Sequence, residues 1–135
     1  MDLGIEPVIQ KQGKLTRYQS TGIDIFVGDI FDLSSTLLGP VDAVYDRAAL
    51  VALPAPMRKR YAAHLLDITG NAPQLVITFV YDQRAMEGPP FCVPDEEVHN
   101  HYAGHYKITS LSSSAVEGGL KGKTAATANV WLLDR

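Results

Sequence analysis

The pattern of apolar and polar positions predicts strands that alternate with helices. Leu15–Gln19 and Ile23–Val27 flank a Ser-Thr-Gly turn, which favours a β-hairpin. Val41–Tyr45 (VDAVY) is a further strand signal. Leu75–Tyr81 (LVITFVY) is apolar throughout, as expected of a strand buried on both faces of a parallel sheet.

Two helices are expected between and after these strands. The first runs from about Pro54 to Ile68, and the prolines at its start together with Gly70-Asn71 after its end suit a helix. Its polar residues, Arg58 among them, lie mostly off the apolar face. A second helix is predicted from Pro94 to Tyr102, because its first turn is acidic. The residues that share the apolar face of the first helix are Met57, Tyr61, Leu65 and Ile68.

The chain is predicted to close with two strands, Tyr106–Leu111 and Ala128–Leu133. The Ser-, Gly- and Lys-rich segment between them, Ser112–Thr124, is typical of a mobile hairpin loop. Alternating strands and helices indicate an α/β fold, with a largely parallel sheet covered on both faces and an antiparallel C-terminal hairpin. Residues 1–135 are expected to form a single domain.

Composition narrows the class of protein. The chain has 135 residues, 46% of them hydrophobic and 20% charged, with a net charge of −3, which is typical of a globular domain. Its basic residues are scattered, so no nucleic-acid groove is expected. No apolar run reaches the length of a membrane helix, and Cys92 is alone. We therefore expect a cytoplasmic protein without a membrane or nucleic-acid partner.

Three segments carry a family resemblance: Gly28–Leu33 (GDIFDL), Val44–Pro54 (VYDRAALVALP) and Tyr81–Val98 (YDQRAMEGPPFCVPDEEV). Together they resemble the middle and late motifs of thiopurine S-methyltransferases, especially bacterial ones. The resemblance implies a Rossmann-like class I fold that transfers the methyl group of S-adenosylmethionine to a thiol or thione sulfur of a small molecule. Some bacterial relatives also handle selenium or tellurium compounds. Ligands are expected at the carboxyl ends of the strands.

The family also begins with elements that this sequence lacks. Its members start with a tryptophan-containing segment, a strand with a glycine loop and a second strand ending in an acidic residue, whereas Met1–Pro7 resembles the end of the helix that follows. We expect an N-terminally truncated, incomplete domain without the first two strands. Ile23–Val27 would lose its neighbour and Val41–Tyr45 would have an open edge. The two strands could pair directly, a partner could fill the gap, with self-association through the open edge, or the chain could be unstable alone.

Arg47 and Asp46 are the candidate catalytic residues, because they follow the strand Val41–Tyr45 at the end where ligands bind. By resemblance, Arg47 lies near the cofactor and the acceptor sulfur, where its guanidinium could stabilise thiolate character. Asp46 would orient Arg47 or assist through a water. The alternative is an ordinary ion pair at the end of a strand, which requires no function.

Two further pairs are candidate ligand contacts by resemblance. Asp29 and Ile30 would lie beside the adenine of the cofactor. The alternative is a turn in which Asp29 caps the next element. Pro90 and Phe91 belong to a Gly-Pro-Pro-Phe loop that would cover the acceptor and present an aromatic ring to a flat heterocycle. The alternative there is a rigid connector held by Phe91 in the core.

A metal site is not expected. His99, His101 and His105 do not share one helix face at their spacing, and no thiolate or carboxylate completes a zinc pattern. Two functions remain open: methyl transfer to sulfur, or an inactive remnant that acts as an interaction module through an exposed sheet edge.

Overall fold

The computed structural model describes residues 6–135, which form two compact units that divide between Gly39 and Pro40. The structure of Met1–Ile5 lies outside this description, so the predicted helix end at Met1–Pro7 falls largely outside it as well. Each unit has its own sheet. The incomplete single domain stays a prediction.

The first unit contains a three-stranded antiparallel sheet in the order β1-β2-β3. Its strands are β1 (Val8–Gln12), β2 (Leu15–Ser20) and β3 (Ile23–Val27). The predicted hairpin is confirmed, because β2 and β3 pair with Tyr18 opposite Ile25. Strand β1 was not predicted, since VIQKQ has only two apolar residues. Strand β3 keeps one neighbour, and its other edge pairs with no strand of residues 6–135.

The second unit contains a four-stranded mixed sheet in the order β4-β5-β7-β6. Strands β4 (Val44–Asp46) and β5 (Gln74–Val80) are parallel. Strand β7 (Thr127–Asp134) is antiparallel to both β5 and β6 (Lys107–Ala115). The expected α/β class and antiparallel C-terminal hairpin are confirmed. The sheet is mixed in its pairing rather than largely parallel, because β7 inserts between β5 and β6. Strands β3 and β4 belong to separate sheets, so they do not pair directly.

Within residues 6–135, three α-helices accompany the sheets. A short helix, α1 (Ser35–Leu38), begins at Ser34, whose hydroxyl accepts the Leu37 N–H. The two predicted helices are confirmed as α2 (Ala55–Thr69) and α3 (Asp95–Tyr102). Helix α2 ends at Gly70, whose φ of 61° places it in the left-handed region that glycine adopts without strain. No helix within residues 6–135 is long and apolar enough to cross a membrane.

Two strand boundaries differ from the prediction by more than one residue. Strand β4 begins at Val44 rather than Val41. Strand β6 continues to Ala115, so the predicted loop is wrong over its first four residues, 112–115. The serines of this edge strand have little intrinsic β-propensity, but pairing with β7 decides the structure, and the register shifts between Ser110 and Ser112 as at a β-bulge.

The central strand β5 differs on its two faces. Val76 and Thr78 are fully buried on one face, whereas Ile77 and Phe79 are half-buried on the other. The prediction that Leu75–Tyr81 is buried on both faces is therefore wrong for the second face. This half-covered apolar face forms one wall of the cavity described next.

Candidate functional site

The candidate site lies where the parallel strands β4 and β5 end. Asp46 is the last residue of β4, and Arg47 follows it directly. Phe79 lies near the end of β5. Because parallel strands bring their carboxyl ends to one edge of a sheet, the segments that follow β4 and β5 meet there.

A cavity of about 420 Å³ opens at this edge. Its walls are mainly apolar, and within residues 6–135 Arg47 is the only charged residue that lines it. Arg47 and Pro90, both predicted site residues, are therefore brought together. The described residues that line the cavity are Arg47, Ala48, Val51, Ala52, Ile77, Phe79, Pro89 and Pro90.

Asp46 holds the turn that carries Arg47. Its carboxylate is 3% exposed, and Oδ1 accepts the backbone N–H groups of Ala49 and Leu50, each at 3.2 Å. Oδ2 accepts the hydroxyl of Tyr61 at 2.8 Å. No ion pair joins Asp46 to Arg47 in the part of the chain described. The alternative of a simple strand-end ion pair is thus wrong, and Arg47 is exposed beside the cavity.

Tyr61 remains a neutral donor to Asp46 over the ordinary pH range. Burial raises the pKa of the Tyr61 phenol far above its usual value, and the negative charge of Asp46 and their hydrogen bond raise it further. Burial also raises the pKa of Tyr102, with Asp46 as the second cause. Both phenols therefore stay uncharged near Asp46, and that of Tyr61 donates to it.

The Gly-Pro-Pro-Phe loop is bound to both neighbouring segments. The Tyr81 hydroxyl donates to the Pro90 carbonyl at 2.7 Å, and the Phe91 N–H donates to the Val51 carbonyl at 2.6 Å. The Val93 N–H donates to the Phe79 carbonyl at 2.8 Å. The second wall of the cavity is therefore fixed to the first by main-chain hydrogen bonds, and the loop is ordered without helix or strand.

Gln83 organises the same loop and was not identified from the sequence. Its amide nitrogen donates to the Met86 carbonyl at 2.7 Å and the Tyr81 hydroxyl at 3.0 Å, while its amide oxygen accepts the Cys92 N–H at 2.9 Å. One side chain thus satisfies main-chain groups on both sides of the prolines, which cannot donate themselves. A glutamine before a Gly-Pro-Pro segment was the only signal for this role.

Phe91 does not line the cavity. Its half-buried ring lies against Gly88, where an added Cβ would come within 2.7 Å of the ring. Gly88 also has a φ of +92°, which side chains rarely adopt. The ring lies 5.8 Å from the guanidinium carbon of Arg58. This geometry fits the rigid-connector alternative, and a direct contact between Phe91 and the acceptor stays a prediction.

Arg58 is a buried cation that the helical pattern had assigned to the polar side of α2. The residue is 4% exposed. Its Nε and Nη2 donate to the two carboxylate oxygens of Glu97 at 2.7 and 2.8 Å, and Nη1 donates to the Leu53 carbonyl at 2.8 Å. Burial raises the pKa of Glu97, but hydrogen bonds from Arg58 and His101 outweigh it and hold that pKa below its usual value.

Asp29 and Ile30 lie in the first unit, in the turn that follows β3. Asp29 is exposed, and its Oδ1 accepts the Phe31 N–H at 2.9 Å, so it caps the 3-10 turn Ile30–Asp32. Ile30 is half-buried. The capping role is therefore confirmed, and the contact of this pair with adenine stays a prediction.

The three histidines do not form one site. His101 contacts the Glu97 carboxylate at 2.9 Å, whereas His99 contacts the Asp95 carbonyl and the edge of Trp131. Among residues 6–135, no group of three His, Cys, Asp or Glu side chains is placed to hold a metal ion.

Comparison with known proteins identifies similar chains. A family model described as Thiopurine S-methyltransferase (TPMT) matches residues 2–134. The chain is 52% identical over 134 residues to a Thiopurine S-methyltransferase of Xanthobacter autotrophicus, covering 99% of this chain and 63% of the relative. Identity is 49% to the protein of that name from Gluconobacter oxydans (96% and 59% covered) and 47% to that from Teredinibacter turnerae (100% and 63%). The chain thus spans about 60% of the length of these curated relatives.

Proposed function

Because the chain belongs to the thiopurine S-methyltransferase family, we propose that its cavity binds a flat sulfur heterocycle for methylation at sulfur. The single observation that carries this proposal is the apolar cavity of about 420 Å³ with Arg47 at its wall. Apolar walls suit the faces of a heteroaromatic ring, and the single cation suits an ionised thiol. The thiopurines in the names of the relatives are molecules of this kind.

The residues of the cavity would act on the acceptor in two ways. Val51, Ile77 and Phe79 exclude water from the sulfur, which leaves a less hydrated and more reactive nucleophile. The guanidinium of Arg47 attracts the thiolate form of the acceptor and favours loss of the thiol proton to solvent. The acceptor must also be held in line with the methyl group, and the pinned Pro89–Pro90 wall would provide this alignment.

S-adenosylmethionine would supply the electrophilic methyl group as a cosubstrate. The residues proposed to hold it are Asp29, Ile30 and Arg47. The first two fit a nucleoside in chemistry: Asp29 offers an exposed carboxylate and Ile30 a half-buried aliphatic surface. Arg47 is exposed as well. Asp46 is engaged by three donors and is therefore proposed to hold the Arg47 turn rather than to exchange a proton itself.

The same chemistry extends to softer nucleophiles. Selenols ionise more readily than thiols, so Arg47 would favour selenium acceptors by the same attraction, and tellurium analogues are proposed with them. A cytoplasmic location is part of this proposal, and the free, half-buried thiol of Cys92 fits a reducing compartment.

The test is calorimetric titration of the folded, monodisperse chain with S-adenosylhomocysteine and with 6-mercaptopurine, a thiopurine. Saturable binding of both ligands is expected, and methylation of the thiopurine is then assayed with S-adenosylmethionine. Absence of heat from either ligand at millimolar concentration would show that this chain does not carry the family activity.

A second candidate function is self-association through the open sheet edges. Ile23, Ile25 and Val27 alternate along the edge strand β3 on one face and are 40%, 39% and 54% exposed. Tyr45 of the edge strand β4 is 64% exposed. Exposed apolar edge strands pair readily with a second copy unless they are covered or charged.

Size-exclusion chromatography with light scattering tests this second candidate. Ile25→Lys is expected to shift the chain towards monomer, whereas Gln19→Lys, on the opposite face of the same sheet, leaves the oligomeric state unchanged. A wild-type chain that is monomeric at every concentration would exclude this function.

A further inference from the structure

We propose that Arg58 is a positioning residue for the acceptor cavity. It would hold the two walls of the cavity at a fixed separation through Leu53 and Phe91 and would not touch the acceptor. The inference rests on the proposed function for its consequence in binding, while its structural part can be tested alone.

The contacts of Arg58 reach two walls of the cavity, the segment of residues 50–53 and the Gly-Pro-Pro-Phe loop, and these are the two walls meant here. Nη1 donates to the carbonyl of Leu53, which directly follows the lining residues Val51 and Ala52. The guanidinium carbon lies 5.8 Å from the ring of Phe91, which directly follows Pro89 and Pro90. Arginine over an aromatic face is attractive, and more so when both groups are shielded from water.

A main-chain hydrogen bond joins the two segments that Arg58 contacts. The Phe91 N–H donates to the Val51 carbonyl at 2.6 Å. Arg58 therefore lies behind the point where the two walls meet, with one contact on each side of it. Loss of the guanidinium would release the Leu53 carbonyl and the Phe91 ring together, so the main-chain hydrogen bond would have to hold the spacing of the walls without this support.

Glu97 makes the position of the guanidinium rigid. Its two oxygens accept Nε and Nη2 of Arg58 in a bidentate arrangement, at 2.7 and 2.8 Å. The planar fork of arginine fits a carboxylate in this way and leaves Nη1 aimed at Leu53, whereas lysine offers a single point charge. The same Glu97 also binds His101 of α3, which fixes the carboxylate in turn.

Loss of the Arg58 contacts is predicted to weaken thiopurine binding and not S-adenosylhomocysteine binding. The acceptor contacts the cavity walls, so loosening them weakens thiopurine binding. Asp29 and Ile30, proposed for the nucleoside, lie in the first unit, whereas Arg58 donates to Leu53 and Glu97 of the second unit. If Arg58 had only a structural role, its loss would instead lower the binding of both ligands in proportion to the loss of folded protein.

The experiment replaces the ion pair as a whole, because removing one partner leaves an uncompensated buried charge. The variant is Arg58→Met/Glu97→Leu, and the matched control is the exposed pair in Arg84→Met/Asp82→Leu. Hydrogen exchange is measured on full-length protein. We expect amide exchange at residues 50–53 and at Gly88, Phe91 and Cys92 to rise by about tenfold or more, the loss of about one hydrogen bond, while strand β5 keeps its protection. The control should match wild type.

Ligand binding is measured on the same proteins. Thiopurine affinity is expected to fall about tenfold with S-adenosylhomocysteine affinity unchanged. If the double variant unfolds, Arg58→Lys retains the charge without the fork, and the same local rise in exchange is expected.

Unchanged amide exchange at residues 50–53 and at Gly88, Phe91 and Cys92, or an equal rise throughout β5, would overturn the inference. If the wild-type chain binds no thiopurine, the proposed function fails, and hydrogen exchange alone still decides whether Arg58 holds the two walls.

Discussion

The hydroxyl of Tyr61 donates a 2.8 Å hydrogen bond to Oδ2 of Asp46, joining helix α2 to the carboxyl end of strand β4. The other oxygen of Asp46 caps the backbone of the turn that follows. Asp46 and Tyr61 are both buried, so the pair acts as a fixed support beneath Arg47. Asp46 and Tyr61 are thus expected to contribute to stability and the neighbouring Arg47 to ligand binding. Substitution of single residues tests the two roles separately.

Tyr61→Phe is expected to lower the free energy of unfolding by about 1–3 kcal/mol, because a buried carboxylate oxygen loses its donor. The control is Tyr45→Phe, whose side chain is largely exposed and is expected to change stability by less than about 0.5 kcal/mol. Urea denaturation at neutral pH measures both. Equal stabilities of the two variants would contradict the support role of the pair.

Arg47→Ala is expected to weaken ligand binding and to leave stability nearly unchanged, the opposite of Tyr61→Phe. Arg47 is exposed and carries no ion pair in residues 6–135, so stability should change by less than about 0.5 kcal/mol. Binding of a thiopurine anion should weaken about tenfold or more, the loss of a hydrogen bond to a charged group. Lys59→Ala, which removes an exposed cation away from the cavity, is the control. An affinity that Arg47→Ala leaves unchanged would contradict the assigned role.

Ala52→Leu tests whether ligand enters the cavity itself. Ala52 lines the cavity and is exposed, so a larger side chain should occupy its space without disturbing the core. Thiopurine affinity is expected to fall about tenfold or more with stability unchanged. Ala55→Leu, an exposed alanine three residues later that does not line this cavity, should bind as wild type. Calorimetric titration compares the two, and equal affinities would place the ligand elsewhere.

Glu97 gives the fold an acid-sensitive contribution. Its folded pKa lies below the ordinary value of 4.5 because Arg58 and His101 together outweigh the opposing effect of burial. A depressed carboxylate pKa stabilises the fold above the unfolded pKa, and this stability is lost as the pH falls through the folded pKa. The difference in unfolding free energy between wild type and Glu97→Gln should therefore shrink as the pH falls below 4.5. Urea denaturation over a pH series measures it, with Glu117→Gln as the exposed control. A constant difference would contradict the assignment.

The sequence predicted the elements whose signals are local. The hairpin before Gly28 and helices α2 and α3 have turn residues, terminal prolines and periodicity that define them without tertiary context. The insertion of β7 between β5 and β6 was not predictable in that way, because strand order depends on contacts distant in sequence. The prediction ended strand β6 too early for the same reason, because its serines become part of a strand only by pairing with β7.

The part of the candidate site that lies at the carboxyl ends of the strands was predictable from the sequence. Arg47 and Pro90 were expected near one ligand and do line one cavity. Arg58 and Gln83 were missed, because their roles depend on partners such as Glu97, 39 residues away from Arg58, and on main-chain groups of a loop without a periodic pattern. A charged residue near an apolar helix face gives no local sign that it will be buried as an ion pair.

The most direct test of the central claim is a chemical-shift map of the ¹⁵N-labelled chain titrated with 6-mercaptopurine. The account predicts saturable shifts at the amides of residues 47–52 and 77–79 and of Gly88, Phe91 and Cys92, and Ala52→Leu should raise the ligand concentration they require by about tenfold or more. Shifts confined to other segments, or none at millimolar ligand in a folded chain, would contradict the assignment of this cavity to the acceptor.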